Sequence, residues 1–263
     1  MPELPDVERS RQYLNSTSLH QEIAEVEEGD PMVLEEVTEA DLREALVGTE
    51  LVNTRRHGKW LLAETADESW LCVHFGMTGS FVSFKDMADR PEHVRALVSF
   101  TNGMHLAYDC QRRLGRISLA PGVEEFVERK GLGPDARDLS LEAFSEAIEG
   151  RSARMKPLLM DQTVIAGLGN IIVDEILFRC RVHPEQPVDA LDEAALREIH
   201  RTMTEIVEHL ILVRTGHEDE IPDDWLMRHR DVGDACPGCG GEIERIEVGG
   251  RGTYLCPACQ KRK

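Results

Sequence analysis

The chain opens Met1-Pro2-Glu3. Methionine ahead of a residue as small as proline is normally trimmed, which would expose Pro2 as a free secondary amine. A secondary amine that condenses with an aldehyde-like sugar carbon gives an iminium with no N–H to lose. That permanent cation is a strong electron sink for β-elimination. The amine must be unprotonated to attack; an α-amino group titrates near pH 8, roughly, and a helix N-terminus lowers this further. Glu3, adjacent, can exchange protons with a sugar ring oxygen as general acid and base.

A second cluster lies at the other end. Cys236, Cys239, Cys256 and Cys259 form C-x2-C-x16-C-x2-C. Two residues between thiols let both sulfurs of a turn reach one tetrahedral ion, and four thiolates complete a structural zinc site. Such a closed site has no open position for catalysis, so the expectation is one structural zinc. The intervening EIERIEVGGRGTYL alternates around Gly249-Gly250 and predicts a β-hairpin with its tip near Arg251. By itself this pattern defines a zinc ribbon, found in many nucleic-acid proteins and in some others. Cys72, Cys110 and Cys180 read as small buried hydrophobes.

The elements that must position these groups follow from periodicity. A first helix is predicted from near Glu3 to about Leu14, with Leu4, Val7, Arg11 and Leu14 at helical spacing. From Glu22 to Phe100 the pattern is mostly strand-like, interrupted by a short helix over 39–47, and Asn102-Gly103 signals a hairpin turn with both residues at positive φ. GLGPDARD at 131–138 marks a hinge. Beyond it the pattern turns helical, with Ser140 capping a helix through Ile148 and Gly150 closing it. Asp192 caps a longer helix carrying Leu196, Ile199, Met203, Ile206 and Leu210, which ends by Gly216. Residues 216–234 are acidic and irregular. The fold class is α+β in two domains. The expected division is 1–122 as a catalytic β-sandwich with a leading helix, 123–229 as a helical domain, and 230–263 as the zinc hairpin within that C-terminal domain.

The 263 residues are 41% hydrophobic, enough for real cores. No stretch approaches the roughly 18 apolar residues of a membrane span, and the charged N-terminus is unlike a secretory signal. A soluble cytoplasmic protein is expected. The net charge of −19 opposes a nucleic-acid partner, which needs cationic contacts. Acid enrichment with few lysines fits either a high-salt host or a GC-rich genome, and the charge of one face matters more than the sum.

From end to end the chain resembles the formamidopyrimidine-DNA glycosylase/endonuclease VIII family. The resemblance is carried by PELPDVE at the N-terminus, RRHGKWLL at 55–62, HFGMTGSF at 74–81, RRLG at 112–115, KPLLMDQTVIAGLGNIIVDEILF at 156–178 and GRGTYLCPACQ at 250–260. It implies a bifunctional glycosylase/AP lyase of base excision repair, acting on damaged double-stranded DNA as a monomer, nucleoid-associated in a prokaryote. It implies Pro2 as nucleophile, Glu3 as proton-transfer partner, and Lys59 as an aid to strand cleavage that grips a phosphate. Lys156, Asn170 and Arg251 become DNA-backbone contacts, Met77 the residue pushed into the gap left by the flipped nucleotide, and Arg112 the one facing the orphaned base. A helix–two-turn–helix is expected around Met160–Asn170, and bent DNA is expected between the β-rich and helical domains.

The residues themselves are compatible with this. Gly167-Leu168-Gly169-Asn170 precedes a helical run, a place where N–H groups and an amide can hold a phosphate, although a packed turn explains GLGN as well. Alone, Lys59 reads as a solvated lysine, Met77 as core and Arg251 as idle surface. Extruding a nucleotide leaves a hole that an apolar wedge such as Met77 can fill.

Several positions depart from the family pattern: Asp6 where Glu is usual, Leu114 where Phe is common, Cys110-Gln111 before the paired arginines, and a short 216–234 segment. These bear on substrate choice, left here as ring-opened or oxidised bases. Two other readings compete: a non-catalytic zinc-ribbon DNA-binding protein on the same scaffold, and an unrelated metalloenzyme using His57, His74 and His105.

Overall fold

The computed structural model describes residues 1–27, 29–216 and 220–262. Contacts divide the chain into two units, Met1–Gly131 and Leu132–Lys263. In the first, α1 (Leu4–Ser18) precedes β1 (Ile23–Glu27), α2 (Glu39–Leu46), β2 (Leu51–His57), β3 (Trp60–Thr65), β4 (Trp70–His74) and β5 (Gly79–Phe84). β6 (Val94–Phe100), β7 (His105–Cys110), β8 (Arg116–Ala120) and α3 (Val123–Lys130) follow. The strands form two antiparallel sheets of order β1-β6-β7-β5 and β2-β3-β4-β8. Val7 and Leu14 of α1, Leu42 and Leu46 of α2, and inward residues of both sheets such as Leu61, Val73, Leu106 and Tyr108 share one core. This is the β-sandwich with a leading helix that the periodicity predicts.

The unit boundary differs from the expected division at 122/123: α3 belongs with the sandwich. Trp60 through Ala63 are all buried, because β3 turns one face to the core and needs cover on the other. Phe126 of α3 supplies it, fully buried and edge-on to Trp60 at 4.9 Å. Lys130 lies over the same indole at 5.4 Å and pairs with Glu35 at 2.5 Å. The Asn102-Gly103 turn differs too. Only Gly103 takes positive φ, at 80°, and Phe100 N–H bonds to Met104 O across a wider loop, with Asn102 Oδ1 accepting from Met104 N–H.

The second unit contains α4 (Leu141–Ile148), α5 (Met155–Met160), α6 (Asn170–Arg179), α7 (Glu193–Thr215), and a hairpin of β9 (Glu244–Val248) and β10 (Arg251–Leu255). Ser140 caps α4 by accepting Ala143 N–H at 3.2 Å, and Asp192 caps α7 through Ala195 N–H at 2.8 Å. Gly216, at φ 79°, closes α7 in the left-handed conformation that glycine tolerates. Ile199, Met203, Ile206 and Leu210 form the buried stripe of α7, each contributing roughly 1.5–3 kcal/mol by leaving water. Of the acidic segment, 217–219 lie outside the described residues; Trp225 is buried against His209 at 4.9 Å. Cys72 and Cys110 are buried as expected, whereas Cys180 is half-buried. Among the described residues no helix is long and apolar enough to cross a membrane.

Candidate functional site

Strand register gathers the chemistry-bearing residues of the first unit at one end of the sandwich. His57 pairs with Trp60, Trp60 with His74, and His74 with Arg116. Gly58-Lys59 therefore closes the β2–β3 hairpin at the same sheet end where β4 runs out into Phe75–Thr78 and where the Gln111–Gly115 turn enters β8. In the other sheet, Gly79 pairs with Cys110, so both loops leave that sheet at the same end too.

Helix α1 aims its N-terminus the same way. Asn15 accepts from Thr54 at 2.5 Å, and seven residues earlier Glu8 lies 3.6 Å from Arg56. The helix thus runs antiparallel to β2 and points Pro2 beyond His57 toward the Lys59 turn. Glu8 is buried, which pushes its carboxyl up, yet hydrogen bonding and charge from Arg11, with help from Gln12 and Arg56, hold it below its ordinary range. Glu3 is the N-cap of α1 and is buried. Its N–H donates to Asp6 Oδ2 at 3.0 Å, so the shorter Asp6 still closes a capping box. Pro2, half-buried, sits just ahead of the positive end of the helix. Lys59 is only 7% exposed although it occupies a hairpin turn; Arg56 donates to Gly58 O at 3.1 Å and holds that turn.

The two loops make one platform through glycines. Gly76 has φ +60°, and a Cβ there would lie 2.4–2.5 Å from backbone atoms of Leu114 and Gly115. A Cβ on Gly115 would fall 1.6 Å from the Tyr108 hydroxyl, which donates to His74 O at 3.0 Å. Backbone packs directly on backbone here, and Arg112 N–H donates to Thr78 Oγ1 at 3.1 Å. Met77 and Leu114 project from the paired loops at 39% and 44% exposure, with Arg112 also exposed.

His74 locks the platform. Its Nδ1 accepts Gly76 N–H at 3.1 Å, which leaves the ring proton on Nε2. Burial first, then the charges of Lys59 and Arg116, lower its pKa to about 4. A folded pKa below the unfolded one means the unfolded chain binds the extra proton. The contribution is therefore complete above about pH 6.5 and is lost as pH falls toward 4, by up to about 3 kcal/mol. An NMR titration of the imidazole should show no more than about a tenth protonated at pH 5; an ordinary midpoint near 6.5 would refute this.

In the second unit Gln162 builds the connection between α5 and α6. Its amide donates to Met160 O and Leu168 O, and its Oε1 accepts from Gly167 N–H. That turn sets Gly169 as N-cap and Asn170 as the first residue of α6. Asn170 Nδ2 donates to Gly252 O at 3.0 Å, which joins the start of α6 to β10, while its buried Oδ1 has no hydrogen-bond partner among the described residues. Gly249 and Gly250, at φ 58° and 73°, make the hairpin tip, and Arg251 begins β10 in an exposed position. Two of the three expected backbone contacts thus sit together.

Lys156 does not join them. It is fully buried, with its ammonium 2.6 Å from Asp174 Oδ1 and 2.7 Å from Thr253 Oγ1. Asp174 Oδ2 also meets Arg230 at 2.9 Å and accepts from Tyr254 N–H. A phosphate cannot reach a side chain with no exposed surface, so the expected DNA contact is replaced by a strut between α5, α6 and the hairpin. Lys156→Met would strand Asp174 with only part of its compensation. A loss of roughly 3 kcal/mol is expected, the low end for a broken buried pair, read as a lower urea midpoint. Unchanged stability would refute the strut.

The four cysteine sulfurs lie within 4.8 Å of one another, with Cys236–Cys259 at 3.8 Å and Cys239–Cys256 at 3.6 Å. A tetrahedron with 2.3 Å bonds has edges of about 3.8 Å, so the donor set fits zinc. Gly241 N–H points at Cys239 Sγ and lowers that thiol's pKa. Buried Gln260 accepts Cys256 N–H and donates to Val182 O, fixing the second knuckle to the segment that follows α6. Among the described residues no histidine belongs to a metal-ligating group. His105 stacks on Phe84 and bonds Ser99, which leaves the metalloenzyme reading without a site.

A β-sandwich with a leading helix, followed by a helical unit with a two-turn connection and a four-thiol hairpin, is the architecture of a zinc-finger DNA glycosylase. The chain matches the formamidopyrimidine-DNA glycosylase N-terminal domain over residues 1–117, the H2TH domain of the same enzymes over 131–219, and the zinc finger found in FPG and IleRS over 233–262. The formamidopyrimidine-DNA glycosylase of Streptococcus thermophilus is 33% identical over 275 residues, covering 100% of both chains. The Lactococcus lactis enzyme, solved non-covalently bound to DNA containing an AP site, superposes with a TM-score of 0.88 at 30% identity, covering 99% of this chain and 100% of that one. A MutM structure with DNA containing carbocyclic 8-oxo-G gives 0.89, also at 30% identity and with the same coverage. The chain belongs to the formamidopyrimidine-DNA glycosylase family and is a DNA glycosylase of base excision repair.

Sequence reasoning missed the residues that hold the site rather than form it: Tyr108 and Thr78 under the loops, Gln162 in the two-turn connection, and Asp174 opposite Lys156. Each acts on a partner distant in sequence or through a turn whose shape no local motif announces.

Proposed function

We propose that the chain excises oxidised or ring-opened bases from double-stranded DNA and cleaves the strand through an iminium on Pro2. The observation that carries this reading is the placement of Pro2 at the positive end of α1, beside the buried N-cap carboxylate Glu3, at the sandwich end that also bears Lys59 and the paired loops. Once Met1 is removed, the Pro2 nitrogen attacks the sugar C1′. The base departs with its electron pair, and the ring oxygen is protonated as the sugar opens, with Glu3 as donor. The iminium then draws electrons from the C2′–H bond as water takes the proton, and the 3′-phosphate leaves by β-elimination; a second elimination, with loss of the C4′ proton to water, releases the 5′-phosphate. Lys59 neutralises a phosphate at the cleavage position.

Met77 fills the gap left by the flipped nucleotide, and Arg112 faces the orphaned base. Asn170 and Arg251 grip the backbone. Four thiolates hold one structural zinc, whose chemistry is confined to fixing the hairpin that carries Arg251. The enzyme acts as a monomer, in the cytoplasm or on the nucleoid. Structures of relatives with AP-site and 8-oxo-G DNA support the substrate class. Incubation with an AP-site duplex and borohydride tests the reading: a reduced adduct mapped to Pro2 by mass spectrometry supports it. No adduct, with Met1 removal verified, overturns it.

A further inference from the structure

Arg113 stands between Arg112, assigned to the orphaned base, and the exposed Leu114, and its backbone has φ +53°. A non-glycine residue in the left-handed region costs roughly 1 kcal/mol and persists only where its surroundings fix it. What fixes it comes from more than eighty residues earlier. Arg113 Nε lies 3.0 Å from Asp30 Oδ2. The same carboxylate meets Arg95 Nε at 3.8 Å and accepts Met32 N–H on Oδ1 at 3.0 Å.

Arg95 closes the circuit. Its Nε donates to Cys110 O at 3.0 Å, the carbonyl that also accepts Arg113 N–H at 3.2 Å and so forms the turn. Asp30 N–H in turn donates to Arg95 O. Downstream, Ile117 N–H bonds to Val33 O at 2.7 Å, and Glu35 N–H returns to Ile117 O. The segment around Asp30 is therefore stitched alongside the 112–117 turn, with one carboxylate touching both the strained residue and the arginine that holds the turn's first carbonyl.

We propose that Asp30 is a positioning residue: through Arg113 and Arg95 it presets the turn that presents Arg112 to the orphaned base. This rests on the reading of Arg112 given above. The pair is partly exposed and adds little to global stability; its effect falls on the conformation offered to DNA, where a preset turn spares the ordering cost of binding.

The test uses the whole protein and duplexes that carry 2-aminopurine opposite an abasic analogue, whose fluorescence rises when the orphaned base unstacks. Asp30→Ala is expected to suppress that rise and to increase KM for a lesion duplex about tenfold, the scale of one coupled interaction, with kcat nearly unchanged. Asp30→Asn, which keeps an acceptor for Met32 N–H and guards against misfolding, should show a smaller loss in the same direction. Arg113→Ala should match Asp30→Ala, and the double variant should be no worse than either single one. Borohydride trapping on a single-stranded AP site, which has no orphaned base, should stay at the wild-type level for both Asp30 variants.

Multiplying losses in the double variant, wild-type behaviour of Asp30→Ala, or an equal loss of trapping on single strands would each overturn the proposal. Arg112→Ala separates the two levels. If it loses signal and affinity while the Asp30 variants keep both, only the role of Asp30 falls. If it keeps both, the reading of Arg112 falls and this proposal with it.

Discussion

A protein that retains Met1 is expected to lose at least about a thousandfold in base excision and strand cleavage, more than about 4 kcal/mol of transition-state stabilisation. An acylated proline nitrogen has no lone pair to give to C1′, and among the described residues no other group at this end of the sandwich can form a cationic adduct that lacks an N–H. Binding to an abasic-analogue duplex should change by less than about threefold, because phosphate contacts dominate affinity and the role proposed for Pro2 is at C1′. Pro2→Gly should fall between the two. It restores a primary amine at the same helix terminus, but its imine can lose a proton and become a weaker electron sink. Single-turnover rates with mass-verified N-termini measure this series. Full turnover by protein that carries Met1 would remove Pro2 from the mechanism.

Loss of the metal is expected to cost DNA affinity by a different route. Cys256 is fully buried and its N–H is held by Gln260, so Cys256→Ala removes one ligand from the centre of the second knuckle. For small four-thiolate sites the metal-binding free energy, on the order of 10 kcal/mol, is the folding free energy of the module. The β9–β10 hairpin should therefore melt and Arg251 should lose its fixed position. Duplex affinity should drop by at least about a hundredfold, about 2.7 kcal/mol. The sandwich should remain folded, with His74 still mostly neutral at pH 5. Metal analysis should return one zinc per chain for the parent protein and none for the variant. A metal-free variant that binds DNA at parental strength would show that the hairpin holds its shape unaided.

What the sequence made legible is what depends on residue type at short range. Pro2 next to Glu3, the paired C-x2-C knuckles, Gly249-Gly250 at a hairpin tip, and the caps Ser140 and Asp192 are local chemistry, and each stands where the pattern put it. Features set by pairing across the chain were not legible. Lys156 has the sequence of a cation free to meet phosphate, and only the approach of Asp174 and Thr253 buries it. The helix at 123–130 follows the last strand and reads as the start of a helical domain. Its membership of the sandwich depends on Trp60 needing cover for its outer face. Asp30 lies in an irregular stretch with no motif, and its importance comes from Arg113 and Arg95. The Asn102-Gly103 dipeptide promised a tight turn, but the neighbouring Met104–Phe100 bond widened it.

The buried strut also has a consequence for biosynthesis. Lys156 and Asp174 emerge from the ribosome long before Arg230, Thr253 and Tyr254, the groups that complete their hydrogen bonding. While only the first part of this unit exists, α5 and α6 have no hairpin to pack against, and their inward charges must stay hydrated. The sandwich, which forms a compact unit of its own over Met1–Gly131, is free to fold while the rest is still being made. Translation order thus imposes a schedule in which the first unit matures early. The second unit stays open, and vulnerable to proteases, until the β9–β10 hairpin and its flanking cysteines have been made.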